Sequence, residues 1–387
     1  MDQGMIQIFF ALLRSALRGS RLTEKELNNY SPEMLSELME MALKHDVAHI
    51  FVMGLKQNEL ISEDDYDLER HIFKAVYRYE RLKYEYDSLC DALENAGISF
   101  LPLKGSVLRN YYPEAWMRTS CDIDVLVHTE DLDRAIAYLT ENLQYIEAGR
   151  ATHDVSLYSP TDIHVELHFD LVEEGRANNA IDMLSSVWDN VSLKENSEYW
   201  YEMNDAFFYF YHVAHMAKHF ESGGCGIRPF IDMWILDHLE GVDISARTEM
   251  LSRGGLIKFA KISQALSDVW FGERVADELL LQMQDFLLHG GVYGSDDNRI
   301  AVQQKKNGGR FGYVLSRIFV PYERLKRYYP ILEKHRWLTP FMQIRRWFMI
   351  LKPDVAKRAK REMDMNGRLE RSKADEMNVF LGNIGLD

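Results

Sequence analysis

Apolar positions along the chain change period several times. Over residues 5–95 they recur at helical spacing: Leu35, Leu38, Met39 and Leu43 share one face, and ERLKYEYDSLCDALENAG stays periodic until it stops at Gly97. A helical lead-in is predicted. From Ile98 the apolar runs shorten. ISFLPL reads as a strand, GSVLRNYY as a short helix and DIDVLV as a second strand; TEDLDRAIAYLTENL then combines a Thr cap with helical spacing. DVSLYS and DIHVELHF follow as a pair of strands joined around Ser159, Pro160 and Thr161, so the order is strand, helix, strand, helix, strand, strand. From about Ala177 to Trp270 the pattern is helical again, most clearly in FFYFYHVAHMAKHF and FIDMWILDHL, which flank a Gly-rich turn at SGGCG. The polar stretch YGSDDNRIAVQQKKNGGR reads as a mobile loop or linker before the basic end.

This pattern predicts an α+β chain, a small mixed sheet flanked by N-terminal helices and a C-terminal helical lobe. The expected division is an N-terminal helical region at 1–95, a sheet-bearing core at 96–176, a helical lobe closing a cleft at 177–290, and a linker with a basic helical region at 291–387.

Composition narrows the class. With 387 residues, 47% hydrophobic and 12% aromatic, the chain is globular and long enough for two or three domains of roughly 150 residues each. No apolar run reaches the ~18 residues that would span a bilayer, so no integral membrane association is expected. The opening MDQGMIQIFFALLRSALRG lacks a positively charged start and a small-residue cleavage site; an amphipathic helix and a cytoplasmic location are the expectation. Cys90, Cys121 and Cys225 are odd in number and not in CxxC spacing, which argues against a disulfide framework or a cysteine zinc site. The net charge of -15 conceals an asymmetry, because residues 1–304 carry 26 Lys and Arg against 51 Asp and Glu, whereas residues 305–387 carry 19 against 9. An acidic body argues against broad nucleic-acid binding; the basic end suits a polyanion, a membrane surface or the acidic body of the same chain.

The candidate chemistry sits in the strands. Side chains of a strand alternate faces, so Asp122 and Asp124 lie on one side of DIDVLV while Ile123, Val125 and Val127 lie on the other. Two carboxylates so close repel and raise each other's pKa, a cost that a bound divalent cation removes. In DIHVELHF, Ile163, Val165, Leu167 and Phe169 share one face and leave His164, Glu166 and His168 on the other, so an adjacent strand would add Glu166 as a third acid. Three carboxylates suit a hard ion, Mg²⁺ or Mn²⁺, better than zinc. At the strand-to-helix turn, Gly105 permits close backbone approach, Ser106 offers a hydroxyl and Lys104 a positive charge, a combination suited to phosphate oxygens. Each feature alone is common; the ordered series is the signal.

That series resembles the nucleotidyltransferase superfamily with the DNA polymerase beta-like fold. More closely, the chain is similar over roughly residues 30–350 to a bacterial family known only as uncharacterised nucleotidyltransferases. The shared residues are Lys104-Gly105, Tyr112-Pro113, Arg118 shortly before DIDVLV, Glu166-Leu167-His168, and His215 to Phe220 with Arg228 and Asp232. Lys104 directly before Gly105, a long spacer from Val107 to Cys121, and Glu in place of the commoner third Asp are departures from the superfamily pattern. The resemblance implies a nucleotidyltransferase core that moves a nucleoside monophosphate from a nucleoside triphosphate to a hydroxyl-bearing acceptor and releases pyrophosphate. Asp122, Asp124 and Glu166 would be the catalytic metal ligands, and Lys104, Gly105, Ser106, Arg118 and Lys218 the nucleotide-binding residues. The acceptor, a small molecule, a protein or an RNA end, is open. A noncatalytic nucleotide-binding or scaffold protein of the same fold and a γ-phosphotransferase are the alternatives.

Two further segments carry competing readings. His212, His215 and His219 share a helix face beside Lys218. They suit a zinc site, a helix packed across the carboxylate cleft, or a packing seam at which Arg228 and Asp232, four apart, pair with each other. In RWLTPFMQIRRWFMILKPDVAKRAKR, Trp337, Phe341, Trp347 and Phe348 alternate with cations, as in RNA- or lipid-binding segments; the preferred expectation is a helix with its aromatic face in the core.

Overall fold

Ile6, Phe9, Phe10, Leu13 and Leu17 form one apolar stripe and bury the helix Gln3–Arg18 against the helix Ala48–Gln57. Gly54 is required at their crossing, because a Cβ there would lie 2.2 Å from the Leu12 carbonyl oxygen. In the computed structural model, residues 2–62, 65–172, 179–292, 294–322, 325–326, 329, 331–350, 353–368 and 371–386 are described. They divide into two compact units, Met1–Met216 with Gly226–Leu288, and Ala217–Cys225 with His289–Asp387. The expected boundary at residue 176 lies outside the described residues. The chain is α+β: the structure is 65% helical and holds a small mixed sheet of five strands.

In the first unit the helix Tyr66–Asn95, capped by Asp65 through the Leu68 amide at 3.2 Å, leads into the sheet. The strands are β1 Phe100–Pro102, β2 Asp122–Val127, β3 Ile146–Arg150, β4 Asp154–Tyr158 and β5 His164–His168, in the order β1-β2-β5-β4-β3. β2 and β5 are parallel and the other pairs antiparallel. One face is core: Ile123, Val125, Val127, Val155, Leu157, Val165 and Leu167 pack on Leu82, Leu89 and Leu93 of the long helix and on Ala135, Ile136 and Leu139 of the helix Leu132–Leu143. The alternation expected for DIDVLV and DIHVELHF is therefore observed, and the opposite face is left for polar groups.

Several expectations are corrected. The helix Leu132–Leu143 follows a 3₁₀ turn, Thr129–Asp131, and Thr129 donates to the Phe169 carbonyl without capping it. β3 was not expected; exposed along its whole length at the sheet edge, it has no apolar alternation to reveal it. The stretch read as wholly helical contains a separate two-stranded sheet, β6 Val191–Leu193 with β7 Tyr201–Met203. Beyond it the first unit returns to helices, among them Arg228–Asp237 and Ile257–Phe271.

In the second unit, the polar stretch expected to be a loop contains the helix Asp296–Lys306, whose Ile300 and Ala301 pack with Tyr313, Met363, Met365 and Met377. The aromatic face expected in the core is outside it. Trp337 is 69% exposed and Phe341 and Phe348 are exposed as well, while Trp347 donates from Nε1 to the Ile318 carbonyl at 2.8 Å. Among the described residues no helix is long and apolar enough to cross a membrane.

Candidate active site

The register of β2, β5 and β4 determines which polar side chains meet. Asp122 stands opposite His164, Asp124 opposite Glu166, and His168 opposite Asp154. All project from the face opposite the core, so Asp122, Asp124 and Glu166 share one surface as their alternation predicted. Lys104 joins them from the turn after β1: its Nζ donates to Asp124 Oδ1 at 2.7 Å and lies 3.9 Å from Glu166 Oε2. His168 Nε2 is 2.9 Å from the same Asp124 oxygen and 3.5 Å from Glu166 Oε2.

Lys104 is aimed by an uncommon backbone. Its φ of 46° and ψ of -123° belong to a region that only glycine enters freely, a strain of roughly 1–3 kcal/mol that the surroundings must sustain. The Leu103 amide bonds the Asp124 carbonyl at 3.0 Å, and the Ser106 amide bonds the Leu103 carbonyl at 3.3 Å, so the turn is tied to β2. The helix that follows, Gly105–Leu108, is one turn long and buries Gly105 and Ser106. Positive charge at this turn comes from side chains, Lys104 among them, since so short a helix has little dipole. Arg109, which the sequence did not single out, locks the turn: Nε donates to the Gly105 carbonyl at 2.9 Å and Nη2 to Ser120 Oγ at 2.7 Å. A Cβ at Gly105 would meet the held Ser120 side chain at 3.2 Å. Gly105→Ala should therefore cost about 1–2 kcal/mol, seen as a lower melting temperature; unchanged melting would show that the turn yields freely.

The charges are unevenly compensated. Burial raises the Asp122 pKa, and Asp124 and Glu166 raise it further against the opposing pull of Lys104 and His164. For Asp124 burial also works upward, but Lys104 and His168 outweigh it and hold the carboxyl far below its ordinary range. Burial depresses Lys104, and Asp124 more than reverses this; Tyr211, from the helix Asp205–Glu221, acts in the same upward direction. His168 is likewise raised, because its bonds to Asp124 and Glu166 overcome burial. The net pull on the Asp124 carboxyl is thus downward, towards the charged form, and on Asp122 upward, against it.

These residues fit a divalent cation. Asp122, His164 and Glu166 bring potential ligand atoms within 4.8 Å of one another, and so do Asp124, Glu166 and His168. Glu166 belongs to both groups, and in this arrangement Lys104 stands on Asp124 as a fixed positive charge. Asp154 is a further acid that the sequence reading passed over, although Val155 and Leu157 alternate with it as Ile123 and Val125 do with Asp122 and Asp124.

Arg118 belongs to a buried network beside the Gly105 turn. Its Nε donates to Asp232 Oδ1 at 2.7 Å, as does Tyr112 Oη, also at 2.7 Å. Arg228 does not need Asp232: its Nη1 donates to Asp46 Oδ2 at 2.9 Å and to the Thr119 carbonyl at 2.8 Å. Of the histidine helix, His212 Nε2 lies 2.9 Å from the Pro229 carbonyl, and the ligand groups found among the described residues contain neither it nor His215 nor His219. Lys218 falls in the second unit.

Comparison with known proteins gives one assignment. No curated protein and no solved structure matches the chain. A family described as uncharacterised nucleotidyltransferase matches residues 31–272, ending before the basic segment that the sequence resemblance had included. That span holds the Lys104 turn, all five strands of the main sheet and the Arg118–Asp232 network, and it covers more than half of the chain, which therefore belongs to the uncharacterised nucleotidyltransferase family.

Proposed function

We propose that the first unit transfers a nucleoside monophosphate from a nucleoside triphosphate to a hydroxyl-bearing acceptor. The observation that carries this reading is the convergence of Asp122, Asp124 and Glu166 with Lys104 on one sheet face. Mg²⁺ or Mn²⁺ held by Asp122, Asp124 and Glu166 would supply Lewis-acid stabilisation of charge on the phosphate oxygens. Lys104 exchanges Asp124 for oxygens of the β and γ phosphates, which frees the Asp124 carboxylate as a ligand. The Gly105–Ser106 turn keeps that lysine at the triphosphate. Arg118 serves the nucleotide by positioning the segment before β2. The acceptor oxygen attacks the α-phosphorus, and Glu166 takes its proton. As the new P–O bond forms, the bond from the α-phosphorus to the bridging oxygen breaks and its electron pair leaves with pyrophosphate.

The test is incubation of the chain with each α-labelled nucleoside triphosphate, Mg²⁺ or Mn²⁺, and cell extract. Label on an acceptor with stoichiometric pyrophosphate is expected. A nucleoside diphosphate as product would assign γ-phosphoryl transfer, and retention of all label in the triphosphate would point to nucleotide binding without turnover.

A further inference from the structure

Asp154 and His168 face each other across the β4–β5 ladder, and His153 immediately precedes β4. His153 Nε2 lies 3.0 Å from Asp154 Oδ2, and the three residues bring ligand atoms within 4.8 Å of one another. Neighbouring ligands of a tetrahedral zinc site, at bond lengths of about 2.0–2.1 Å, are separated by roughly 3.3 Å. A second observation marks this cluster as incomplete. His168 is 4% exposed, its Nε2 is committed to Asp124, and its Nδ1 is buried without any hydrogen-bond partner among the described residues. A buried imidazole nitrogen left in this way is costly, and coordination removes the cost.

We infer that His153, Asp154 and His168 bind a divalent cation of the zinc class at a site of their own. With Nε2 on Asp124, Nδ1 is the ring atom of His168 available to the ion. Two imidazoles and one carboxylate form a donor set for zinc and its borderline neighbours, whereas Asp122 and Glu166 suit a hard, oxygen-preferring ion. The surroundings are those of a ligated histidine. A metal-bound imidazole gives its other N–H to a carboxylate, and Asp124 stands 2.9 Å from His168 Nε2 to accept it. The His153 backbone is fixed as well, its carbonyl accepting from the Phe169 amide at 2.9 Å and the Asp170 amide at 3.3 Å. The ion would hold His168 as the Nε2–H tautomer and so orient Asp124. Its binding does not depend on the proposed transfer reaction.

The experiment uses the untagged full-length chain, stripped with chelator and titrated with Co²⁺ as a spectroscopic substitute for Zn²⁺. One equivalent should bind with the strong visible absorption of a four-coordinate site, be displaced by Zn²⁺ and resist excess Mg²⁺. His153→Ala should remove the band and weaken binding by more than the about 100-fold that loss of an outer-shell partner causes, while Asp122→Asn should keep both. A weak six-coordinate spectrum displaced by Mg²⁺, or a band unchanged in His153→Ala, would overturn the proposal. Should His153→Ala fail to fold by circular dichroism, X-ray absorption of the zinc-loaded parent decides: two imidazoles in the first coordination sphere are required, and their absence refutes the site.

Discussion

Asp124→Asn should lower pyrophosphate release by about 10³-fold, a loss of about 4 kcal/mol of transition-state stabilisation, while the chain still folds. The substitution keeps the shape of the side chain and removes the charge that meets Lys104 at 2.7 Å and His168 at 2.9 Å. Both bonds end on Oδ1, an acceptor that the Asn amide retains, so the stability cost should be about 2–3 kcal/mol, below the usual penalty for breaking a buried ion pair. Asp122→Asn separates the two effects. It should abolish activity to a similar extent, yet melt at or above the parent at pH 7.

The sign follows from linkage. In metal-free protein Asp124 has a depressed folded pKa, so its contribution is present above the unfolded value of about 3.9 and is lost as pH falls towards the folded value. Asp122 has a raised folded pKa; its charged form costs stability above that folded value, and the cost disappears below the unfolded one. Calorimetry of both variants at pH 7 and pH 4 provides the check. Full pyrophosphate release by either variant would remove the paired aspartates from the mechanism.

The alternation of acids with Ile123, Val125, Val165 and Leu167 was legible in the sequence because each strand buries one whole face, and register follows from that burial. Asp154 obeys the same alternation, but a single acid at a strand end looks like any solvated terminus until its cross-strand partner is known to be His168. β3, β6 and β7 were missed for lack of a buried face or of length, three to five residues each. The polar helix Asp296–Lys306 resembled a loop because few of its positions are apolar. Torsion is silent in sequence: nothing in LKGS shows that Lys104 adopts φ 46° and thereby points at Asp124 instead of at solvent. Long-range pairing is equally silent. Local spacing suggested Arg228 with Asp232, whereas the structure joins Asp232 to Arg118 from 114 residues away and sends Arg228 to Asp46.

That exchange of partners leads to the second large effect. Asp232→Ala should destabilise the chain by about 3–5 kcal/mol, because it leaves the Arg118 guanidinium buried without its carboxylate and strips Tyr112 Oη of an acceptor. The first unit should then melt roughly 10 °C lower, at about 2–4 °C per kcal/mol. Replacing both partners distinguishes a positioning role from direct nucleotide contact. Arg118→Met with Asp232→Leu, made in a Tyr112→Phe background, removes the pair without leaving a charge or an unpaired hydroxyl behind, and such swaps are often neutral or stabilising. If Arg118 acts by holding the segment from Tyr112 to Ser120 that leads into β2, the double variant should regain most of the melting temperature and keep KM for the triphosphate, with only kcat reduced. If Arg118 touches phosphate, stability should return while KM rises. A single Asp232→Ala variant that melts within about 1 kcal/mol of the parent would mean that the network is dispensable, and with it the rigid approach that carries Asp122 and Asp124 to the sheet.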